Sequence, residues 1–152
     1  MSRGMKIDVV NLPEVQDALR QVGSRADQVI DGAVQAGALL VQNAATGRLK
    51  TGYLRLSGTL RRSIQSRRER STRGGVSYTV GPRGVPYATI HEYGGTIRPR
   101  SGEFLVFQVG GNLVFARQVT IPARPYMRPA YDETSGQIPR EIGRVIGQAV
   151  SG

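Results

Sequence analysis

The chain has 152 residues and no cysteine, which leaves room for one domain with its own core and excludes disulfides and thiolate metal sites. Apolar residues make up 39% but aromatics only 6%, with no tryptophan, so the core must be mostly Val, Leu, Ile and Ala; glycine, 20 of 152, exceeds the usual share of about 7%. The formal charge of +10 is regional: from Gly32 to Tyr131 fifteen Lys and Arg meet only Glu69, Glu92 and Glu103, which predicts a basic face or basic loops able to attract nucleic acid or an acidic protein surface.

The first residues, MSRGMKIDVV, lack the apolar stretch of a signal peptide. No run approaches the roughly 18 apolar residues of a membrane span, so a soluble protein made in the cytoplasm is expected. Residues 12–46 read as one long helix, with Asn11 as N-cap, Pro13 in the first turn and Glu14 placed as in a capping box. Val15, Leu19, Val22, Ala26, Val29, Ala33, Ala36 and Leu40 form one stripe, which fits a core helix or a face for a partner helix. Gly23, Gly32 and Gly37 weaken that helix, unless its small residues let another backbone come close.

The segment 46–60 reads as a flexible loop. Within it, TGYLR (51–55) is echoed six residues later by SGTLRRS (57–63). Ser63 to Arg70 and Val76 to Gly81 then look like two strands joined by STRGG, the second alternating Val76, Tyr78 and Val80 with Ser77 and Thr79. Pro86 to Tyr93 reads as a short helical turn ended by Gly94 and Gly95. Phe104–Val109 and Leu113–Val119 flank Gly110-Gly111-Asn112, a strong hairpin signal. A last helix is expected from Tyr126 to Val150, with Pro139 and Gly143 weakening its second half. The sum is an α+β plan: a long N-terminal helix and a C-terminal helix on a small antiparallel sheet, in one domain over 1–152 with a hairpin insertion at 103–120.

Catalysis has little support. His91 stands alone in HEYGG, without the second histidine of a zinc-binding HExxH or other convergent ligands. No G-x-S-x-G elbow, Walker loop or G-x-G-x-x-G is present, so neither a nucleophilic serine nor a phosphate cradle is expected, and no cofactor or metal is assigned. Nucleic-acid binding competes more seriously. Arg61, Arg62, Arg67, Arg68, Arg70 and Arg73 lie within thirteen residues, enough for phosphate contacts, yet no aromatics interleave with them for base stacking. They fit non-specific contact with DNA, an acidic partner, or a solvated hairpin.

Three segments together carry a resemblance. TGYLRLSGTLRRSI resembles a T/S-G-x-L-R-x-S-I element, VPYATIHEYGGTIRP a Y-A-x-x-x-E-x-G-T element, and IPARPYMRPAYDE an A-R-P-F-M-R-P-A element, in the same order. The family they resemble is that of bacteriophage neck and tail-completion proteins, which join heads to tails in long-tailed phages. The resemblance spans about residues 5–150. It implies a non-enzymatic virion protein, made in the host cytoplasm, that forms a ring, usually hexameric, in the neck or at the tail top. Its partners would be connector or stopper proteins on one side and tail terminator or tail tube on the other, with DNA passing through the lumen and no membrane involved. The residues carried by motif are Gly58, Leu60, Arg61, Ser63 and Ile64; Tyr87, Ala88, Glu92, Gly94 and Gly95; Arg124, Pro125, Met127, Arg128 and Pro129. This chain departs from the pattern in its tandem glycine-leucine-arginine element and in the well-patterned hairpin between the second and third motifs. Glu92 stands in the second of these segments and the arginines in the third, so an ion pair with Arg124 or Arg128 is expected, against the alternative of a surface glutamate.

Overall fold

The computed structural model describes residues 5–9, 23–49, 58–70 and 75–151. Helix α1 (Ala26–Arg48) is the element on which the others pack, entered through a 3-10 turn at Gly23–Arg25. Its buried face is Ala33, Val34, Gly37, Ala38, Val41 and Ala45, steps of three and four made mainly of small side chains. That choice lets neighbours come close. A Cβ added at Gly37 would stand 3.0 Å from Cγ2 of Ile138 and 3.6 Å from Cγ1 of Ile142, so the glycine sets the distance to the C-terminal helix.

On one side α1 covers a three-stranded antiparallel sheet ordered β1 (Met5–Val9), β3 (Val76–Pro82), β2 (Ile64–Glu69). Tyr78, Val80 and Ile64 are buried in this layer. The register places Met5 and Ser66 beside Val80, and Arg67 beside Thr79. The edge strand β2 is guarded by the helix itself, because the Ser66 N–H donates to Oε1 of Gln42 at 2.6 Å. Tyr78 donates its hydroxyl to Asp31, 3.1 Å away, and Asp31 also pairs with Arg68. Burial, then the hydrogen bond to Asp31, raises the Tyr78 pKa.

Helix α2 (Gly58–Ser63) runs straight into β2, and its Leu60 is buried in the core. After β3 come α3 (Ala88–Tyr93) and then β4 (Gly95–Ile97). Strands β5 (Leu105–Val109) and β6 (Asn112–Ala116) form a hairpin, and β7 (Val119–Ile121) returns to pair with β4. Residues 95–121 therefore make a two-stage arm, with β4–β7 at its base and β5–β6 at its tip. Helices α4 (Met127–Thr134) and α5 (Ile138–Ser151) close the chain against α1. Ile138, Ile142 and Ile146 form the contact stripe of α5.

The α+β expectation is met, and the two strands placed at 63–70 and 76–81 are found almost as expected. Several details differ. The long helix continues to Arg48, so Thr46–Arg48 are helical rather than loop, and Gly58–Leu60 open a helix; residues 50–57 of the expected flexible loop lie outside the described residues. The part of the long helix expected over 12–22, with its capping box, lies outside them too. The hairpin stops at Ala116 because Val119 belongs to the strand that closes the arm's base. The expected final helix breaks at Ser135–Gln137, which puts Pro139 in the first turn of a new helix, where its missing N–H costs nothing. Strand β1 had no counterpart in the sequence reading.

The glycines of α1 separate by surroundings. Nothing lies within 4 Å of a Cβ at Gly32, so Gly32→Ala should raise stability by about 0.5–1 kcal/mol. Gly37→Val should lower it by about 1–3 kcal/mol through overpacking against Ile138. Urea unfolding of the two variants checks both signs.

Candidate functional site

The second and third motifs meet in space. Helix α3 ends at Gly94, whose N–H donates to the Ile90 carbonyl at 2.8 Å. Gly94 holds φ +70°, and a Cβ there would stand 2.7 Å from the Ala123 nitrogen and 3.0 Å from the Ile121 oxygen. Both obstacles are backbone, so only glycine fits. One step along, the Arg124 N–H donates to the His91 carbonyl at 2.7 Å. The turn after α3 is thus pinned against the strand that leads into α4.

Glu92 completes the clasp. Its side chain is buried, with 7% of the residue exposed. Oε2 accepts from the N–H of Tyr126 at 2.8 Å and of Met127 at 2.9 Å, and Oε1 accepts from the N–H of Arg128 at 2.9 Å. These donors stand at the N-terminus of α4, where the first four N–H groups of a helix lack an internal partner. The fourth position is Pro129, which has no N–H. One carboxylate and one proline therefore account for all four. The negative charge also sits at the positive end of the helix dipole. Glu92 is a helix cap supplied from 34 to 36 residues away. The expected ion pair with a guanidinium gives way to this arrangement: the carboxylate reads the main chain of the arginine segment, including Arg128's own N–H, and the surface-glutamate alternative falls with its burial.

Two neighbours respond to the clasp. Tyr126 is almost fully buried and directs its hydroxyl to the Ala88 carbonyl at 3.5 Å. Burial first, then the charge of Glu92, pushes its pKa far upward. His91 is buried beside Tyr87, the rings edge to face with centroids 5.7 Å apart. Burial, then the positive charge of Arg124, holds its pKa below 6.5. Among the described residues, no group of three or more His, Cys, Asp or Glu is placed to hold a metal ion, and no helix is long and apolar enough to cross a membrane.

The first motif lies elsewhere and has a packing role. Leu60 and Ile64 are core residues, the Ser63 hydroxyl donates to the Leu60 carbonyl at 2.6 Å, and the Ser63 carbonyl accepts from the Arg83 N–H at 3.0 Å. Gly58 is exposed; a Cβ there would meet only the movable end of Arg62. The arginine cluster is divided. Arg61 and Arg62 are exposed on α2, and Arg70 is exposed just after β2. Arg68 turns toward α1 and pairs with Asp31, whereas Arg67, its neighbour on the strand, faces the other way, beside Thr79 and Arg83 in an open groove. Arg73 lies outside the described residues.

The arm rises from the clasp and carries a cluster of exposed apolar side chains. Val106, Leu113 and Phe115 are 58%, 65% and 62% exposed, and Phe104, Phe107 and Val109 are exposed as well. Near its base Arg117 pairs with Glu103 at 2.7 Å and lies over the Phe104 ring. Beside the clasp, an open cavity of about 360 Å³ has Met5, Pro82, Ala88, Tyr126 and Met127 among its walls, with Tyr131 and Asp132 from α4.

Residues 17–151 match the family described as the phage virion morphogenesis family. No curated protein and no solved structure gives a significant match.

Glu92→Ala should cost about 3 kcal/mol or more, because it leaves buried donors at the start of α4 unsatisfied. Glu92→Gln, which keeps an acceptor but loses the charge, should cost roughly half as much. Chemical denaturation and amide exchange of α4 measure both. His91 gives a pH signature. Its lowered pKa means the unfolded chain binds more protons, so its contribution is complete above pH 6.5 and is lost as pH falls through the folded value. Unfolding midpoints compared at about pH 7 and about pH 5 should show a smaller acid loss in His91→Gln than in the parent.

Proposed function

This chain belongs to the phage virion morphogenesis family, and from that premise we propose that it is a ring subunit of the head–tail joint, in the neck or at the tail top. A structural role in phage assembly goes with the family. The finer placement rests on one observation: a rigidly based arm whose apolar side chains are left in water. Exposed apolar surface of this kind marks a place where another protein sits. Like subunits closed into a ring, with connector proteins above and tail proteins below, supply such partners, and six copies is the number expected of that architecture.

The basic excess has a place in this reading. Arg61, Arg62 and Arg67 are exposed and suited to an acidic neighbour or to DNA passing through the lumen. A free-standing DNA-binding protein fits less well, because Arg68, in the middle of the arginine cluster, is engaged by Asp31.

Particles made without this chain should accumulate as separate heads and tails, and the wild-type chain supplied in trans should restore joined virions. Electron microscopy reads the outcome; normal virions in its absence would sink the proposal. The purified chain at about 0.15 M salt should bind duplex DNA no more tightly than ordinary non-specific proteins, near 10⁻⁴–10⁻⁶ M. Tighter binding that Arg67→Ala and Arg70→Ala abolish would favour the nucleic-acid reading instead.

A further inference from the structure

We propose that His91 makes the joint of the arm acid-sensitive: a proton taken up by its ring opens the turn after α3 and releases the arm's base while the body stays folded. The inference does not depend on what the arm binds. His91 stands at the pivot. Its carbonyl accepts the Arg124 N–H at 2.7 Å, and three residues further on Gly94 turns the chain toward β4. The residue is 8% exposed, and its ring meets Tyr87 edge to face. Its Nδ1 has no hydrogen-bond partner among the described residues. A neutral imidazole leaves at most one weakly polar position unsatisfied there. The protonated ring would carry a full charge and two N–H donors into the same buried place.

The surroundings do not favour the charged form. From its own helix, Tyr87 offers an aromatic ring, and Glu92 directs both carboxylate oxygens to the main chain of Tyr126, Met127 and Arg128. From the segment across the joint, Tyr126 directs its hydroxyl to the Ala88 carbonyl, and Arg124 adds a positive charge. Burial and that charge hold the ring below 6.5, and no carboxylate is among the groups that shift it. A state in which the turn has swung away returns the ring to water and to its ordinary value. Such a state binds the proton more tightly, so it is disfavoured above pH 6.5 and gains population as pH falls. Local opening is within reach of the architecture. Helix α3 is only lightly packed by the other helices and strands, and no residue of 95–121 belongs to the core.

His91 is the one histidine of the chain, so a side-chain titration between pH 7 and pH 5 belongs to it. Linkage limits the response: with an open-state value of 6.5, the open fraction rises by no more than about 25-fold over that interval. The test is amide exchange of the full chain at pH 7 and pH 5, corrected for the intrinsic pH dependence of the chemistry, in water and in low urea. The Gly94 and Arg124 N–H groups, both donors in the joint, should lose protection by about 3-fold to 25-fold on acidification. Their exchange should hardly respond to urea, whereas that of Tyr78 and Val80 in β3 should respond steeply, because a local opening exposes little surface. His91→Gln, which stays neutral, should make the joint amides indifferent to pH. NMR titration of the ring in the parent chain gives a second reading that needs no variant, with a midpoint expected below 6.5. A midpoint at or above 6.5, unchanged protection of Gly94 and Arg124, or the same acid response in His91→Gln would overturn the proposal. Joint amides that follow β3 in their urea dependence would overturn it as well, since the joint would then open only with the whole body.

Discussion

A buried carboxylate that caps a helix from another part of the chain is the constraint on which the architecture turns. Glu92 accepts three main-chain N–H groups at the start of α4, and Pro129 removes the remaining donor. Removing a carboxylate from water costs several kcal/mol, and charge-assisted hydrogen bonds of about 1.5–3 kcal/mol each offset much of that cost. The net gain in stability is therefore modest. Its larger consequence is geometric, because a carboxylate bound to three adjacent amides fixes the direction as well as the position of α4.

The arm inherits that precision. It leaves the body at Gly94 and returns through Ile121 to Arg124, and both ends are tied to the clasp. Gly94 must approach the Ala123 backbone too closely for any side chain, and Arg124 hydrogen-bonds the residue before Glu92. Strands β4 and β7 then carry the constraint outward, with Thr96 and Thr120 joined across the pair at 3.2 Å. A tip with apolar residues on both faces thus stands on a base whose aim is set by buried hydrogen bonds.

Much of this was legible in the residues. The alternation of Val76, Tyr78 and Val80 announces β3, and Gly110-Gly111 announces the tip turn, where both glycines adopt positive φ. The motif segments 87–95 and 124–129 were identified as important, but their relation was not, since a guanidinium is the obvious partner for a glutamate among arginines. The signal for the cap is subtler: a helix start with Pro at its third position and no Ser, Thr, Asp or Asn before it has donors that something distant must accept. Strand β1 was missed because MKIDV is short and its pairing with β3 is set by residues more than 60 positions away. The break at Ser135–Gln137 was blurred because apolar periodicity continues on both sides of it.

The division of apolar surface between body and arm bears on how such a chain assembles. The core formed by α1, the three-stranded sheet and the isoleucine stripe of α5 contains no residue of the 95–121 excursion. Folding of the body therefore does not draw on the arm, and the arm's exposed side chains do not compete for the core. Substitutions at Val106, Leu113 or Phe115 change exposed surface at little cost to the fold, whereas substitutions at Glu92, Gly94 or Pro129 disturb the platform that aims the arm. The buried core and the exposed apolar surface are carried by different residues, and the clasp is the place where the two are joined.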